Sequence, residues 1–578
     1  MGPRTVPILL SLVTILLASV AATEPGADKA WLQWAQNPQH TGFIQITSQP
    51  PNSKLAEITY DPFVRGEQRE DFGELLTHYQ VPLTEGNSAY MEFKTGKWIL
   101  CHPRYAWLKG AACGPNTWDQ EIWNEKRLDW QHGKLVETWT FQSDWKPEPN
   151  GYPRGLFGWE PVFHPVLTHH FLYVPGFAGT IWKVDKSSGK AISRINPFGG
   201  AVDSHRFVSS PLSADSQGNV YYNVMKMTTK NPWGKDVSGA WLVKISPDDT
   251  AAVATYKDLV PGAPDPKSHC PFVFTDGKTL PWPPSRHAKP QPIICGSQRP
   301  GLNVAPAIAQ DGTIYTISVA HLDPMAGYLV AVNPDLTPKW QASLQKRFHD
   351  GCGFIVPIAK YKNQPNACRG GANPGVDPTT NDWGSGWVGD QGSSSPTVLP
   401  DGSILMGVVT DYNGSRGHLM KFSSAGDFLA SYDFGWDETP AVYSHDGTYP
   451  IVIKDNHYGV PLYCAFNSPI CQPLPPGPFD ITQLSADLKP EWKFKNTTID
   501  GQHPNGYEWC INAPVIGADG LVHVNSEDGN LYVLNQGGTL KHKIFLKHAE
   551  AAAYTPLSLG PDGKIYTQND GVLFVLGK

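Results

Sequence analysis

Apolar and polar positions along this chain alternate in short runs divided by turn residues, most clearly near the C-terminus. In NAPVIGADGLVHVNSEDGNLYVLNQGGTLKHKIFL, residues 512–546, four apolar runs are separated by Asp-Gly, Asp-Gly and Gly-Gly. Period-two alternation bounded by such pairs predicts four strands and three tight turns. A lone meander of this kind cannot bury both of its faces, so it needs copies of itself to pack against.

The copies are present. APAIAQDGTIYTI from Ala305, SPTVLPDGSILMG from Ser395, TPAVYSHDGTYPIV from Thr439, APVIGADGLVHVN from Ala513 and TPLSLGPDGKIYTQ from Thr555 repeat one plan, and SPLSADSQGNVYYN from Ser210 fits it well. HPVLTHHFLYV from His164 and VPLTEGNSAYMEF from Val81 fit more loosely. The anchors Pro82, Pro165, Pro211, Pro306, Pro396, Pro440, Pro514 and Pro556 mark eight units. Proline suits the first residue of a strand, where no ladder donor is required. A second strand pair follows in each unit, as in GTIWKVDKSSGKAISRI and GHLMKFSSAGDFLASYDF. The repeat predicts an all-β chain built as an eight-bladed β-propeller. The last unit stops at GVLFVLGK with three strands, while SKLAEITYDPF at 53–63 looks like an orphan outer strand. The expectation is a ring closed by this N-terminal strand, which completes the last blade; an open solenoid would leave edges at both ends.

Composition sets the compartment. Arg4 precedes the apolar run VPILLSLVTILLASVAA, with small residues at Ser19, Ala21 and Ala22, as in a secretory leader. The domain reading is a signal peptide at 1–22, an N-terminal extension at 23–52 and a single propeller at 53–578, in a secreted or periplasmic protein. An uncleaved anchor is the other reading of the leader, and no later segment is apolar enough to cross a bilayer. A net charge of −7 gives no reason to expect nucleic acid. The nine cysteines suggest four local disulfides: Cys101 with Cys113, Cys270 with Cys295, Cys352 with Cys368, and Cys464 with Cys471, leaving Cys510 free. Asn413 and Asn496 are glycosylation sequons.

The loops are unequal. First-to-second and third-to-fourth turns are mostly tight (QDGT, PDGS, KSSGK, QGG). The long segments 94–128, 258–302, 346–392 and 455–480 all belong to the opposite face, with all four expected disulfides. Long loops gathered on one face mark a binding surface, or a cap over the channel. Polar residues also collect just before the anchoring prolines. The candidate ligand-binding set is Glu160, His205, Arg206, Asp390, Asp437, Glu508, His548 and Glu550, with Trp159, His164, Asp203, Gln391, Trp436, Glu438, Tyr507, Trp509, Asn512 and Tyr554 in the same pre-proline stretches. Carboxylates beside His, Arg and Tyr suit acid–base work or an oxygen-liganded cation. Each could equally brace a neighbouring blade. Arg206 suits an anion, through its bidentate fork. Trp107, Trp118, Trp123, Trp282, Trp383 and Trp387 fall in the long loops and could stack on sugar rings.

DGNLYVLNQGG, GTIWKVDKSSGK and the entry WLQWAQNPQHTGF resemble the quinoprotein (PQQ-like) repeat family over nearly the whole mature chain. The resemblance implies an eight-bladed propeller, many members being exported, and in the enzymes pyrroloquinoline quinone (PQQ) with Ca²⁺. In the family's alcohol dehydrogenases a disulfide of adjacent Cys lies against the quinone; here no two Cys are adjacent. Many members end each blade signature in Trp, a place taken here by Trp139, Trp340 and Trp492. Three functions stay open: a scaffold holding a small molecule, glycan or protein at the loop-rich face; a quinoprotein-type oxidoreductase acting on alcohols or sugars; and a polysaccharide-active enzyme such as a lyase.

Overall fold

The computed structural model describes residues 29–70, 73, 75–98, 120–147, 161–227, 234–274, 285–349, 373–377, 379–390, 392, 394–410, 417–433, 436–457, 477–509, 511–548 and 554–578. Eight antiparallel sheets follow one another as blades. Their innermost strands are Leu83–Glu85, Val166–Leu167, Ser213–Ala214, Ala307–Ile308, Thr397–Val398, Ala441–Val442, Val515–Ile516 and Ser558–Leu559, in blades 1 to 8. The 512–546 meander is blade 7, with further strands Val522–Asn525, Asn530–Asn535 and Thr539–Phe545. In blade 8, Ser53–Thr59 pairs antiparallel with Val572–Gly577, Ser53 facing Gly577 and Thr59 facing Val572. The strand is shorter than the 53–63 expected from sequence: the ladder stops where Tyr60 N and Asp61 N both donate to Gly571 O, and the helix Val64–Glu70 follows. Thr84 Oγ1 donates to Leu559 O (3.0 Å) and Ser558 Oγ to Pro82 O (2.6 Å), tying blade 8 to blade 1.

Apolar side chains of the inner strands fill the space between blades. Trp139, Trp340 and Trp492 sit on outermost strands and pack on Gly189, Gly426 and Gly538 in the third-to-fourth turn of the next blade, where a β-carbon would lie 2.6, 2.8 and 2.8 Å from the ring. The indole N–H groups of Trp139 and Trp340 donate to Lys186 O and Ser424 O, both at 2.9 Å. Gly537 and Gly538 are adjacent and both left-handed, yet a β-carbon on Gly537 meets nothing within 4 Å among the described residues. Gly538→Ala is therefore expected to cost about 1–3 kcal/mol more than Gly537→Ala, read as the difference between two melting curves, because both share the backbone strain and only one strikes Trp492.

The stretch from Trp31 to Gln49, expected from sequence to be an extension, is part of the ring. Trp31 exchanges backbone hydrogen bonds with Thr84 of blade 1 (2.8 and 2.9 Å), and Leu32 O accepts from Leu167 N of blade 2 (2.9 Å). The Gln33 amide exchanges two bonds with Ala214 of blade 3, at 3.1 and 2.7 Å. Pro38, Gln39, Thr41 and Gly42 carbonyls accept from Ile308, Val398, Val442 and Ile516 of blades 4 to 7 (2.7–3.0 Å), and Gln49 N donates to Gly563 O of blade 8 (2.7 Å). Residues 31–49 thus meet the blades in order and wind once around the axis. The bonded residue is the last of the innermost strand in blades 2 to 7, so the winding lies at the tight-turn end and closes it. Gly42 is required there: its φ is +59° and a β-carbon would lie 2.8 Å from Pro514 O.

Cys270 and Cys295 are joined, clamped by the short strands His269–Cys270 and Ile293–Ile294. The other three expected disulfides, Cys101 with Cys113, Cys352 with Cys368 and Cys464 with Cys471, lie outside the described residues. Cys510 and the sequon at Asn413 lie outside them too. Asn496 is buried and its Nδ2 donates to Ser526 Oγ (2.8 Å), so its sequon is not open to a glycan in the folded chain. Among the described residues no helix is long and apolar enough to cross a membrane.

Candidate functional site

A residue preceding proline is held extended. The stretches that run into Pro165, Pro306, Pro440, Pro514 and Pro556 therefore deliver side chains to the end of the channel opposite the winding. The Trp34 indole rises into this ring of positions. Its Nε1 donates to Thr439 Oγ1 of blade 6 (3.0 Å), and its ring meets His164 of blade 2 edge-on at 5.5 Å. Blades 2 and 6 lie opposite one another, so the indole spans the channel, packed also against Ala305 and Ala513. It separates the winding below from the loop-side mouth above.

Neutral polar groups cluster at this level. Asn512 O accepts from Thr439 N (2.9 Å), yet its side-chain Nδ2 and Oδ1 are buried with no hydrogen-bond partner among the described residues. Asn303 accepts from Val162 N through Oδ1 (3.0 Å), and its Nδ2 is buried and equally without a partner there. His164 Nδ1 lies 2.8 Å from Pro165 O. A carbonyl only accepts, so Nδ1 carries the hydrogen, and Nε2, buried with no partner among the described residues, is a lone-pair acceptor. Burial pushes this imidazole down to about 3, keeping it neutral. Glu438 takes the Lys454 backbone N–H on Oε2 (2.9 Å), and its Oε1 has no partner among the described residues. Burial pushes its carboxyl well above the usual range, with only partial opposition from Lys454. Unpaired buried groups are uncommon in native proteins, so four residues carrying them in the stretches that lead into the anchoring prolines call for an explanation.

Beside them lies a charged network drawn from three blades. Lys454 Nζ contacts Asp437 Oδ2 at 3.1 Å, and the Tyr554 hydroxyl donates to the same oxygen at 3.3 Å. Lys454 also lies over the Tyr554 ring (4.7 Å to its centre), whose plane stacks on His78 at 4.3 Å. Blade 6 supplies Asp437 and Lys454, blade 8 Tyr554 and blade 1 His78. A phenol shared between a carboxylate and an ammonium can hold or move a proton.

The other expected residues fall elsewhere. Asp390 is buried in a two-pronged pair with Arg299: Nη1 donates to Oδ1 at 2.8 Å, Nη2 contacts Oδ2, and Leu302 N donates to Oδ1 at 2.9 Å. His205 and Arg206 form a separate cluster on blade 3. His205 Nδ1 lies 3.1 Å from Asp203 Oδ1, and the Arg206 guanidinium lies over Phe198 (4.0 Å) and Trp241 (5.3 Å). Its aromatic cover, rather than an open anion site, is what the structure gives Arg206. Glu508 is half-buried and uses its backbone O, which accepts from Ser526 Oγ (2.8 Å) and Glu527 N (3.1 Å). His548 is exposed, edge-on to Tyr507 at 6.1 Å. Glu160, Glu550, Trp107, Trp118 and Trp282 lie outside the described residues. Trp123 is not a loop residue: it is buried on the strand Glu121–Gln131, edge-on to Trp145 at 5.2 Å. Trp383 stays 39% exposed against His349, and Trp387 meets Phe272.

Trp34, His78, Asn303, Arg299 and Lys454 were not singled out from sequence. His78 obeys the pre-proline rule before Pro82. A Lys inside the apolar strand Ile451–Asn456 signals a buried ion pair.

No protein-family profile matches the chain, and no curated protein matches it in sequence. Solved structures do match in shape. A europium-containing methanol dehydrogenase aligns over 93% of this chain and 89% of its own, at 10% identity and a TM-score of 0.51. The quinohemoprotein alcohol dehydrogenase of Comamonas testosteroni aligns over 95% and 81%, at 11% identity and 0.51. BamB of Moraxella catarrhalis aligns over 91% and 99%, at 11% identity and 0.41. At such identities the likeness speaks for the fold alone.

The mouth can be tested against the quinone that the repeat resemblance implies. PQQ carries three carboxylates, and they call for cations not already committed, while its metal calls for clustered anionic ligands. Lys454, the cation beside the mouth, is held by Asp437. Among the described residues no three His, Cys, Asp or Glu side chains converge as a metal site. These residues do not fit PQQ with its cation.

Proposed function

We propose that this chain, whose fold is the quinoprotein-type eight-bladed propeller, is an exported binding protein that holds a small ligand in the loop-side mouth above Trp34. One observation carries the reading. A channel closed at one end by residues 31–49 presents at the other a ring of buried polar atoms, on Asn303, Asn512, His164 and Glu438, without partners among the described residues. Each such atom costs about 1–3 kcal/mol unless something bonds it, so a bound molecule is favoured there. The leader-like run at 1–22 supports export, and the long loops support a covered site on this face. Native mass spectrometry of the protein purified from its own compartment tests the reading. A small molecule is expected in the intact protein and not in Asn512→Leu, which should fold normally because the Asn512 side chain bonds no described residue. Equal occupancy in both would place the ligand elsewhere.

The Tyr554–Asp437–Lys454 arrangement favours a second reading, acid–base cleavage of a glycan. Appearance of unsaturated uronate absorbance on incubation with acidic polysaccharides would support it.

A further inference from the structure

We infer that the mouth takes an uncharged, hydroxyl-bearing ligand in place of an anionic quinone and its cation. This rests on the proposal that the mouth is a binding site, and adds the ligand's chemistry. The unpartnered atoms form a mixed set: donors on Asn303 and Asn512, an acceptor on Asn512, a lone pair on His164 Nε2, and the Glu438 Oε1. An anion would need donors alone, or an uncommitted cation. Lys454 already answers Asp437, so a carboxylate entering here would compete with a buried partner of the same charge. A metal ion would need oxygens gathered in one place, and the acceptors in this set are spread over separate blades. A hydroxyl both donates and accepts, so neighbouring hydroxyls of one molecule can satisfy an amide edge and an imidazole lone pair together. A site whose polar atoms are buried rejects an analogue lacking the matching hydroxyl, since the protein group is then left unpaired.

Isothermal titration with the full-length mature protein tests this. The probes are glucose, galactose, mannose, xylose and their neutral disaccharides on one side, and PQQ with Ca²⁺ on the other. At least one neutral sugar is expected to bind saturably, with a tenfold or greater loss in Asn512→Leu and in Asn303→Leu, and PQQ with Ca²⁺ is expected not to bind. PQQ binding that is weakened by Asn512→Leu would overturn the ligand class while leaving the mouth as the site. Sugar binding unchanged in both variants would overturn the mouth itself. No neutral probe binding up to ~10 mM would overturn the inference. Should Asn512→Leu fail to fold, Asn303→Leu carries the same comparison.

Discussion

Release of residues 29–49 is expected to cost the ring more than ~5 kcal/mol and to open the channel from end to end. Trp31, Trp34, Ile44 and Ile46 are buried in this stretch, each worth about 1.5–3 kcal/mol against exposure. Their removal also leaves inner-strand N–H groups of blades 2 and 4 to 7 without the carbonyls of Leu32, Pro38, Gln39, Thr41 and Gly42. A plain truncation could fail in export or folding, so the sharper form is a protease site inserted between Gln49 and Pro50 and cut after folding. The cut chain should melt well below the parent and lose ligand, since Trp34 leaves with the stretch. Unchanged melting would mean that the winding decorates the ring without holding it.

Acid is expected to loosen the same winding before it loosens the blades. Three buried histidines grip it. His40 lies within it, with Nδ1 2.9 Å from Pro396 O and Nε2 3.5 Å from Ser213 Oγ. His164 backs Trp34, and His523 Nε2 lies 2.9 Å from Ser48 Oγ. Burial pushes His40 and His523 down to about 4, and His164 to about 3. The charged neighbours that act on them are His40 for His164, and Asp519 and Lys541 for His523. A base with a depressed folded pKa binds fewer protons folded than unfolded, so its stability is whole above pH 6.5 and lost as pH falls toward 4. A shift of this size corresponds to ~3 kcal/mol for His40. Two carboxyls act with the opposite sign. Burial pushes Glu125 up to about 8 and raises Glu438, so their cost at neutral pH is relieved on acidification. The readout must therefore be local. Hydrogen exchange, corrected for intrinsic rate, should show residues 29–49 losing protection between about pH 6.5 and 4.5 while blade strands keep theirs, and His523→Gln should flatten part of that dependence. Equal protection at both pH values would contradict this role.

The ring itself was legible because its signals are local. A proline, an apolar run and an Asp-Gly turn lie within about a dozen residues of one another, and blade 7 follows the quoted meander strand for strand. The winding was not. WLQWAQNPQHTGF has no strand period, and its bonds run from its own backbone to blade ends far along the chain, so it read as an extension. The site was legible in part. Asp437, Asn512, Tyr554 and His164 stand one to three residues before their prolines, close enough to reach the mouth. His205 and Arg206 stand six and five residues before Pro211, about 16–20 Å of extended chain. There the strand is broken into Arg206–Val208 and Ser213–Ala214, which leaves them out on blade 3. Lys454 was marked only by its place inside an apolar strand, and Arg299 was hidden because its carboxylate, Asp390, comes from a separate segment.

The central claim, that the mouth above Trp34 holds the ligand, is tested most directly by a crystal structure of the protein as isolated from its own compartment. The expected result is non-protein density against the Asn512 amide and His164 Nε2, with residues 31–49 closing the far end of the channel. Density confined to the blade 3 cluster at His205 and Arg206, with the Asn512 amide bonded to protein alone, would contradict it.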